Sequence, residues 1–169
     1  MEANEGITFS TDTIASYLDA LKKLFVVEEL PTWTVNLRSK VRIRTTNTRH
    51  FVDPSLACAS LGAKPAALMN QLRTFGCLFE ELVVRDLRIY AGALDGTVRH
   101  YHDSNGLECD AVVESGDGRY GLVEAKLYNP DRIEEGAKNL LKLASLVNPH
   151  EANAPSFLAG ADRKSTRLN

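Results

Sequence analysis

Apolar residues recur at helical spacing through Ile14, Leu18, Leu21 and Phe25, directly after Ser10 and Thr11, either of which can cap a helix. Tyr17 and Leu24 widen that stripe, and Pro31 closes the segment before Trp33. Pro54 and Ser55 open a second helical region that Gly62 interrupts, and Lys64 to Thr74 reads as a short helix. A stronger helical pattern follows Gly76 through Phe79, Leu82, Val83, Leu87 and Tyr90. The period then changes. Residues 97–102, 107–113 and 119–127 read as three successive strands, and residues 131–147 return to helical spacing with Ile133, Leu140, Leu141, Leu143 and Leu146. Three antiparallel strands beside a long helix, followed by another helix, predict an α/β (α+β) domain.

The second and third of these strands carry the candidate chemistry. Glu108-Cys109-Asp110 is followed, after 13 residues, by Glu124-Ala125-Lys126, with Gly116 and Gly118 marking the turn between them. Alternation puts Glu108 and Asp110 on one face and Leu107, Cys109, Ala111 and Val113 on the other. On the return strand Tyr120, Leu122, Glu124 and Lys126 share a face, opposite Gly121, Val123, Ala125 and Leu127. If the register brings the polar sets to one side, Asp110 and Glu124 offer hard oxygen ligands to Mg²⁺ or Mn²⁺. Lys126 would then orient a nucleophilic water or hold a scissile phosphate. Crowded carboxylates need a cation for relief, either the metal or the lysine. Glu80, on the helix entering this nucleus, is a third acidic candidate, with Glu81 as its alternative and a salt bridge as the plainer role of both. The same spacing also fits a solvated hairpin face bearing ordinary surface charges.

Residues 38–49 hold Arg38, Lys40, Arg42, Arg44 and Arg49 and no acidic residue. The first four alternate with Ser39, Val41 and Ile43, so a strand here would have one basic face. Thr45-Thr46-Asn47-Thr48 resembles a turn leading to a returning strand over residues 49–53, a hairpin suited to touch the phosphates of DNA. A charged edge strand that discourages aggregation fits the pattern equally well. His100 and His102 alternate on a strand close to Asp103, but they lack the further partners that a zinc site needs.

Composition narrows the class. A chain of 169 residues, 44% hydrophobic, is long enough for one domain with a core, and its formal net charge of −2 argues against indiscriminate nucleic-acid binding. Cys58, Cys77 and Cys109 have apolar sequence surroundings and no paired ligand spacing, which predicts buried free thiols in a reducing compartment. Neither a secretory signal nor an apolar run of transmembrane length is present, so a cytoplasmic location without membrane contact is expected.

Taken together, Gly76-Cys77-Leu78-Phe79-Glu80, Leu107-Glu108-Cys109-Asp110 and Leu122-Val123-Glu124-Ala125-Lys126 resemble, in order, the PD-(D/E)xK nuclease-like domain attached to a family of prokaryotic AAA-like ATPases. Arg49-His50-Phe51-Val52-Asp53-Pro54 is similar to that family's segment before the nuclease-like core, and the resemblance covers roughly residues 8–147. It implies a restriction-endonuclease-like core, a central mixed sheet flanked by helices, over residues 51–158. A partial winged-helix-like or linker segment would precede it over residues 1–50, and a polar disordered tail would follow over residues 159–169. Glu80 matches the acidic residue of the first core helix, Asp110 the central acidic residue, and Glu124 and Lys126 the E-x-K pair. The three carboxylates would be the metal ligands, and Cys109 stands where the family commonly has a small hydrophobe.

The family's ATPase is expected elsewhere, because no G-x-x-x-x-G-K-[ST] phosphate loop occurs here. The chain is therefore expected to be a C-terminal fragment or stand-alone remnant that lacks the apolar final strand. The function so implied is a Mg²⁺-dependent DNA endonuclease, or a domain derived from one, associated with an ATPase. The alternative is a noncatalytic DNA-binding or protein-interaction module of such a system.

Overall fold

A computed structural model of the chain describes residues 9–34, 42–127, 130–147 and 157–161. Helices α1 (Thr11–Lys23), α2 (Pro54–Ser60), α3 (Pro65–Asn70), α4 (Leu72–Gly92) and α5 (Pro130–Leu146) combine with strands β1 (Val27–Leu30), β2 (Thr48–Phe51), β3 (Thr97–His102), β4 (Glu108–Glu114), β5 (Tyr120–Ala125) and β6 (Phe157–Ala161). The protein is a mixed α+β structure with a two-stranded sheet, β1-β2, and a four-stranded sheet in the order β3-β4-β5-β6. Strands β3, β4 and β5 run antiparallel, whereas β6 returns through α5 to lie parallel to β5.

Local chemistry accounts for the boundaries. The Ser10 hydroxyl accepts the Thr13 N–H and caps α1, and Asp53 caps α2 ahead of Pro54, whose fixed φ suits a first helical turn. Between β4 and β5 the turn closes as Ser115 N–H donates to the Arg119 carbonyl at 2.9 Å. Gly118 adopts φ +81° there, a conformation that favours glycine.

Helices α4 and α5 form separate apolar clusters with the four-stranded sheet. Val84 and Ala91 of α4 pack with Val98, Ala111 and Val123, joined by Leu30 from β1. Leu140 and Leu143 of α5, with the following Val147, pack with Tyr101, Cys109, Val112 and Leu122, joined by Trp33. Trp33 also donates its indole N–H to Glu114 at 2.8 Å, so contacts from the first 50 residues reach both clusters. The helix faces differ in part from the sequence reading: Tyr90 and Leu141 are exposed. Their helices bury narrower stripes than the full run of apolar positions.

Four further expectations are revised. The partner of β2 is β1, with Val27 opposite Phe51, and not the basic segment before it. Val27-Glu28-Glu29-Leu30 carries two adjacent glutamates, which obscured its strand character. Ala111 and Val113 do not share the face of Leu107 and Cys109. Arg99 pairs with Val112 while Tyr101 pairs with Cys109, so three steps on β4 oppose two on β3, a bulge that reverses the alternation. Residues 159–161, expected to begin the polar tail, belong instead to β6 (Phe157–Ala161); residues 162–169 lie outside the described residues. Lastly, Cys109 is buried but Cys77 is exposed, and all three cysteines are free thiols.

The joint between α4 and β3 leaves no room for a side chain at Gly96, where a Cβ would lie 2.8 Å from the Glu114 carbonyl oxygen and 3.2 Å from that of Ala91. Backbone would have to move. Gly96→Ala is expected to lower stability by about 1–3 kcal/mol, read from urea unfolding; an unchanged midpoint would show that the joint can relax.

Candidate functional site

Three of the four predicted residues converge at the ends of β4 and β5. The Lys126 ammonium lies 2.7 Å from Glu124 Oε1 and 3.3 Å from Asp110 Oδ2, so one cation bridges two carboxylates from neighbouring strands. Asp110 Oδ2 also accepts the Ala125 backbone N–H at 2.8 Å, which pins the aspartate to β5. Asp110 lies in the bulge of β4, between Cys109 and Val112, which both pack towards α5. A bulge re-aims side chains, and here it accompanies the departure of Asp110 from the regular ladder.

Glu124 is the most buried member, only 5% exposed, and its Oε2 is a buried oxygen without a hydrogen-bond partner among the described residues. Burial, then the nearby Asp110 charge, raises its pKa above the ordinary carboxylate value, against the opposing pull of Lys126. For Lys126 burial favours loss of the proton, but Asp110 and Glu124 outweigh it and the ammonium is held more firmly than usual. The space beside Glu124 is made by Gly136 of α5: a Cβ there would stand 3.0 Å from Glu124 Cγ. A mid-helix glycine is the trace this requirement leaves in the sequence, and the sequence reading passed over it.

Glu80 projects from α4 into the margin of the site. Burial, followed by the Asp110 charge, pushes its pKa up to about 7, with Lys126 and His50 pulling it down and Glu81 adding to the rise. Among the described residues, however, no group of three or more His, Cys, Asp or Glu side chains is disposed to hold a metal ion, so Glu80 does not complete a three-carboxylate set with Asp110 and Glu124. Glu81 has a structural engagement: its Oε2 accepts the Phe51 backbone N–H at 2.9 Å and lies 3.3 Å from His50 Nδ1.

The remaining candidates are dispersed. Glu108 faces His102 at 3.3 Å across β3 and β4. His100 bonds to Thr32 at 3.1 Å, and Asp103 is a buried turn anchor that accepts the Tyr101 hydroxyl and the Asn105 and Leu107 N–H groups. Cys109 is buried, burial raises its thiol pKa, and its Sγ donates to the Ala111 and Val123 carbonyls, features of an inert thiol. Of the basic set, Arg42 and Arg44 are exposed on either side of Ile43, which bridges to Asp103, and Arg49 is exposed on β2, while Arg38 and Lys40 lie outside the described residues. Arg49 lines a cleft that reaches Asp110.

The sequence profile of a domain of unknown function (DUF8612) matches residues 2–67, a stretch that ends before Glu80 and the β4–β5 centre. No curated protein and no solved structure matches the chain. Among the described residues no helix is long and apolar enough to cross a membrane.

Two predictions follow from this geometry. Glu80 has a raised folded-state pKa, so its neutral form is favoured by folding, and its contribution to stability is complete below about pH 4.5 and lost as pH rises through about 7. Glu80→Gln should flatten the fall in stability across that window in denaturant titrations at several pH values; an identical fall in the variant would contradict the assignment. Gly136→Ala should gain up to about 1 kcal/mol of helix propensity yet displace Glu124. Its readout is the Lys126 side-chain ammonium resonance in NMR, expected to shift relative to the wild type.

Proposed function

We propose that this chain carries a Mg²⁺- or Mn²⁺-dependent phosphodiester-cleaving centre, a DNA endonuclease or a domain derived from one, working with an AAA-like ATPase. The observation that carries this reading is Glu124: a buried carboxylate with one oxygen on Lys126 and the other without a partner among the described residues, beside Asp110. Native proteins seldom leave a buried carboxylate oxygen unsatisfied, and such orphans concentrate where a ligand completes the shell. The mixed sheet with α4 and α5 packed against it also suits the restriction-endonuclease-like core that the sequence resemblance implies.

The donor set fits a hard divalent cation. Asp110 and Glu124 would hold it, and magnesium is commonly bound by one or two protein carboxylates with substrate phosphates and water filling its other positions. When bound, such an ion supplies positive charge against the phosphate and makes water a stronger nucleophile. Lys126 then orients the attacking water or binds a phosphate oxygen. Glu80 adds a negative charge to the rim as it ionises near neutrality, so metal affinity should strengthen as pH rises through about 7.

One observation favours a second reading, a noncatalytic DNA-binding or protein-interaction module of an ATPase system. Lys126 already contacts both carboxylates directly and offsets part of their charge, which a purely structural ion-pair network would also do.

Cleavage separates the two readings. Purified protein given supercoiled plasmid, linear DNA or RNA with Mg²⁺ or Mn²⁺ should cut DNA, and EDTA should stop it. Asp110→Asn and Lys126→Met should each lower the rate by about 10²-fold or more while circular dichroism shows a folded chain. Cutting that persists at full rate in both variants removes the proposed centre; a wild type that never cuts, with any substrate or metal, leaves the noncatalytic reading.

A further inference from the structure

We propose that the cleft lined by Arg73, Arg132 and Lys126 is the seat for the phosphate backbone of a single nucleic-acid strand leading into the β4–β5 centre. The proposal rests on the nuclease reading for the identity of its ligand and deepens it by assigning the strand's path. It also moves the expected contact away from the basic segment of residues 38–49.

Two clefts meet at Glu80, and their charges differ. One, of about 480 Å³, is lined by the carboxyl-bearing residues Glu80, Glu81, Glu108 and Asp110, with Arg49 and three histidines. The other, of about 470 Å³, is lined by Arg73, Arg132 and Lys126 and by one acidic residue, Glu80. A nucleic-acid strand carries a negative charge at every phosphate, so the second cleft attracts it and the first opposes it. The three cations come from separate elements: Arg73 from the first turn of α4, Lys126 from just beyond β5, and Arg132 from the first turn of α5. Both helices are long, and their N-terminal ends add partial positive charge to the same cleft. Gly76 and Leu127 keep the wall between these cations apolar, and a Cβ at Gly76 would already touch Leu127 Cδ1 at 3.7 Å.

Lys126 belongs to both the cleft and the carboxylate centre, which gives the path its direction. Phosphates held by Arg73 and Arg132 place the next phosphate of the strand towards Lys126, Asp110 and Glu124. The two arginines are positioning residues, since they line the cleft that leads to Lys126, while Lys126 itself makes the contacts to Asp110 and Glu124. Guanidinium groups suit this work because their planar fork of donors matches phosphate oxygens.

Binding of a short fluorescein-labelled single-stranded DNA oligonucleotide, measured by anisotropy in EDTA over a series of salt concentrations, tests the path without cleavage. Affinity should fall as salt rises, and Arg73→Ala and Arg132→Ala should each weaken binding and reduce the slope of log affinity against log salt by about 0.7. Arg73→Lys and Arg132→Lys should recover the slope, which a merely unfolded variant would not allow. Arg119→Ala, an equal loss of charge on the exposed β4–β5 turn, should leave the slope as it was. The path is overturned if the wild type shows no binding at the lowest salt, if both alanine variants keep the full slope, if the lysine variants fail to recover it, or if Arg119→Ala lowers it equally. Slopes as expected in a protein that never cleaves would retain the path and remove the nuclease reading. Cleavage abolished by Asp110→Asn, with slopes unmoved by either arginine, would do the reverse.

Discussion

The contact between the Lys126 ammonium and the carboxylates of Asp110 and Glu124 is the constraint on which this site depends. Two carboxylates on adjacent strands repel one another, and withdrawing Glu124 from water makes its charge costlier still. The lysine answers both problems at once because it stands two residues after Glu124 and reaches across to β4. Its compensation is partial. One oxygen of Glu124 has no partner among the described residues, and Glu80 close by is pushed up to about 7, so Asp110, Glu124 and Glu80 together carry more negative charge than a single ammonium balances once Glu80 ionises. A second positive species, whether a divalent ion or a further cation from a partner, is the electrostatic complement of that surplus.

The fold provides this arrangement by irregularities placed where the regular parts end. The ladder from β3 to β5 is covered twice, α4 packing through Val84 and α5 through Leu143. The bulge at Cys109–Val112 interrupts it next to Asp110, and the aspartate is tied back to β5 through the Ala125 amide. Gly136 withdraws the surface of α5 where Glu124 needs volume. A regular β4 and an alanine at position 136 would both favour regular secondary structure, and each would alter the surroundings of a carboxylate. That conflict between local regularity and site geometry is expected where side chains are arranged for binding rather than for stability alone.

Much of the fold was legible because its signals are local. The capped start of α1, the break at Gly62, the strands β3 to β5 and helix α5 all follow from period, caps and turn residues within a few positions. The convergence of Asp110, Glu124 and Lys126 was legible as well, since a short glycine-bearing turn leaves a hairpin as the natural connection. What escaped was nonlocal. Pairing of β1 with β2 joins segments separated by the stretch that includes Arg38 and Lys40, and no period connects them. The bulge is invisible to alternation, which assumes an unbroken ladder, so Ala111 and Val113 were placed with Cys109. Gly136, Arg73 and Arg132 owe their surroundings to the way helices dock on the sheet, and a sequence pattern contains no measure of that.

The same distinction explains why charge along the chain was a poor guide to charge in space. Residues 38–49 are the most basic run of the sequence, yet Arg49 on β2 stands apart from Arg42 and Arg44, and the cleft that Arg49 enters is also lined by Glu80, Glu81, Glu108 and Asp110. Arg73, Lys126 and Arg132 are far apart in sequence and each is unremarkable there, but packing brings them to one cleft. Coulomb attraction depends on distance and local dielectric and not on sequence adjacency, so three cations around a confined cleft act more strongly on a polyanion than the same number strung along a solvated segment. Lys126 thereby stands at a junction: it offsets part of the charge of Asp110 and Glu124 and also lines the cleft that holds Arg73 and Arg132.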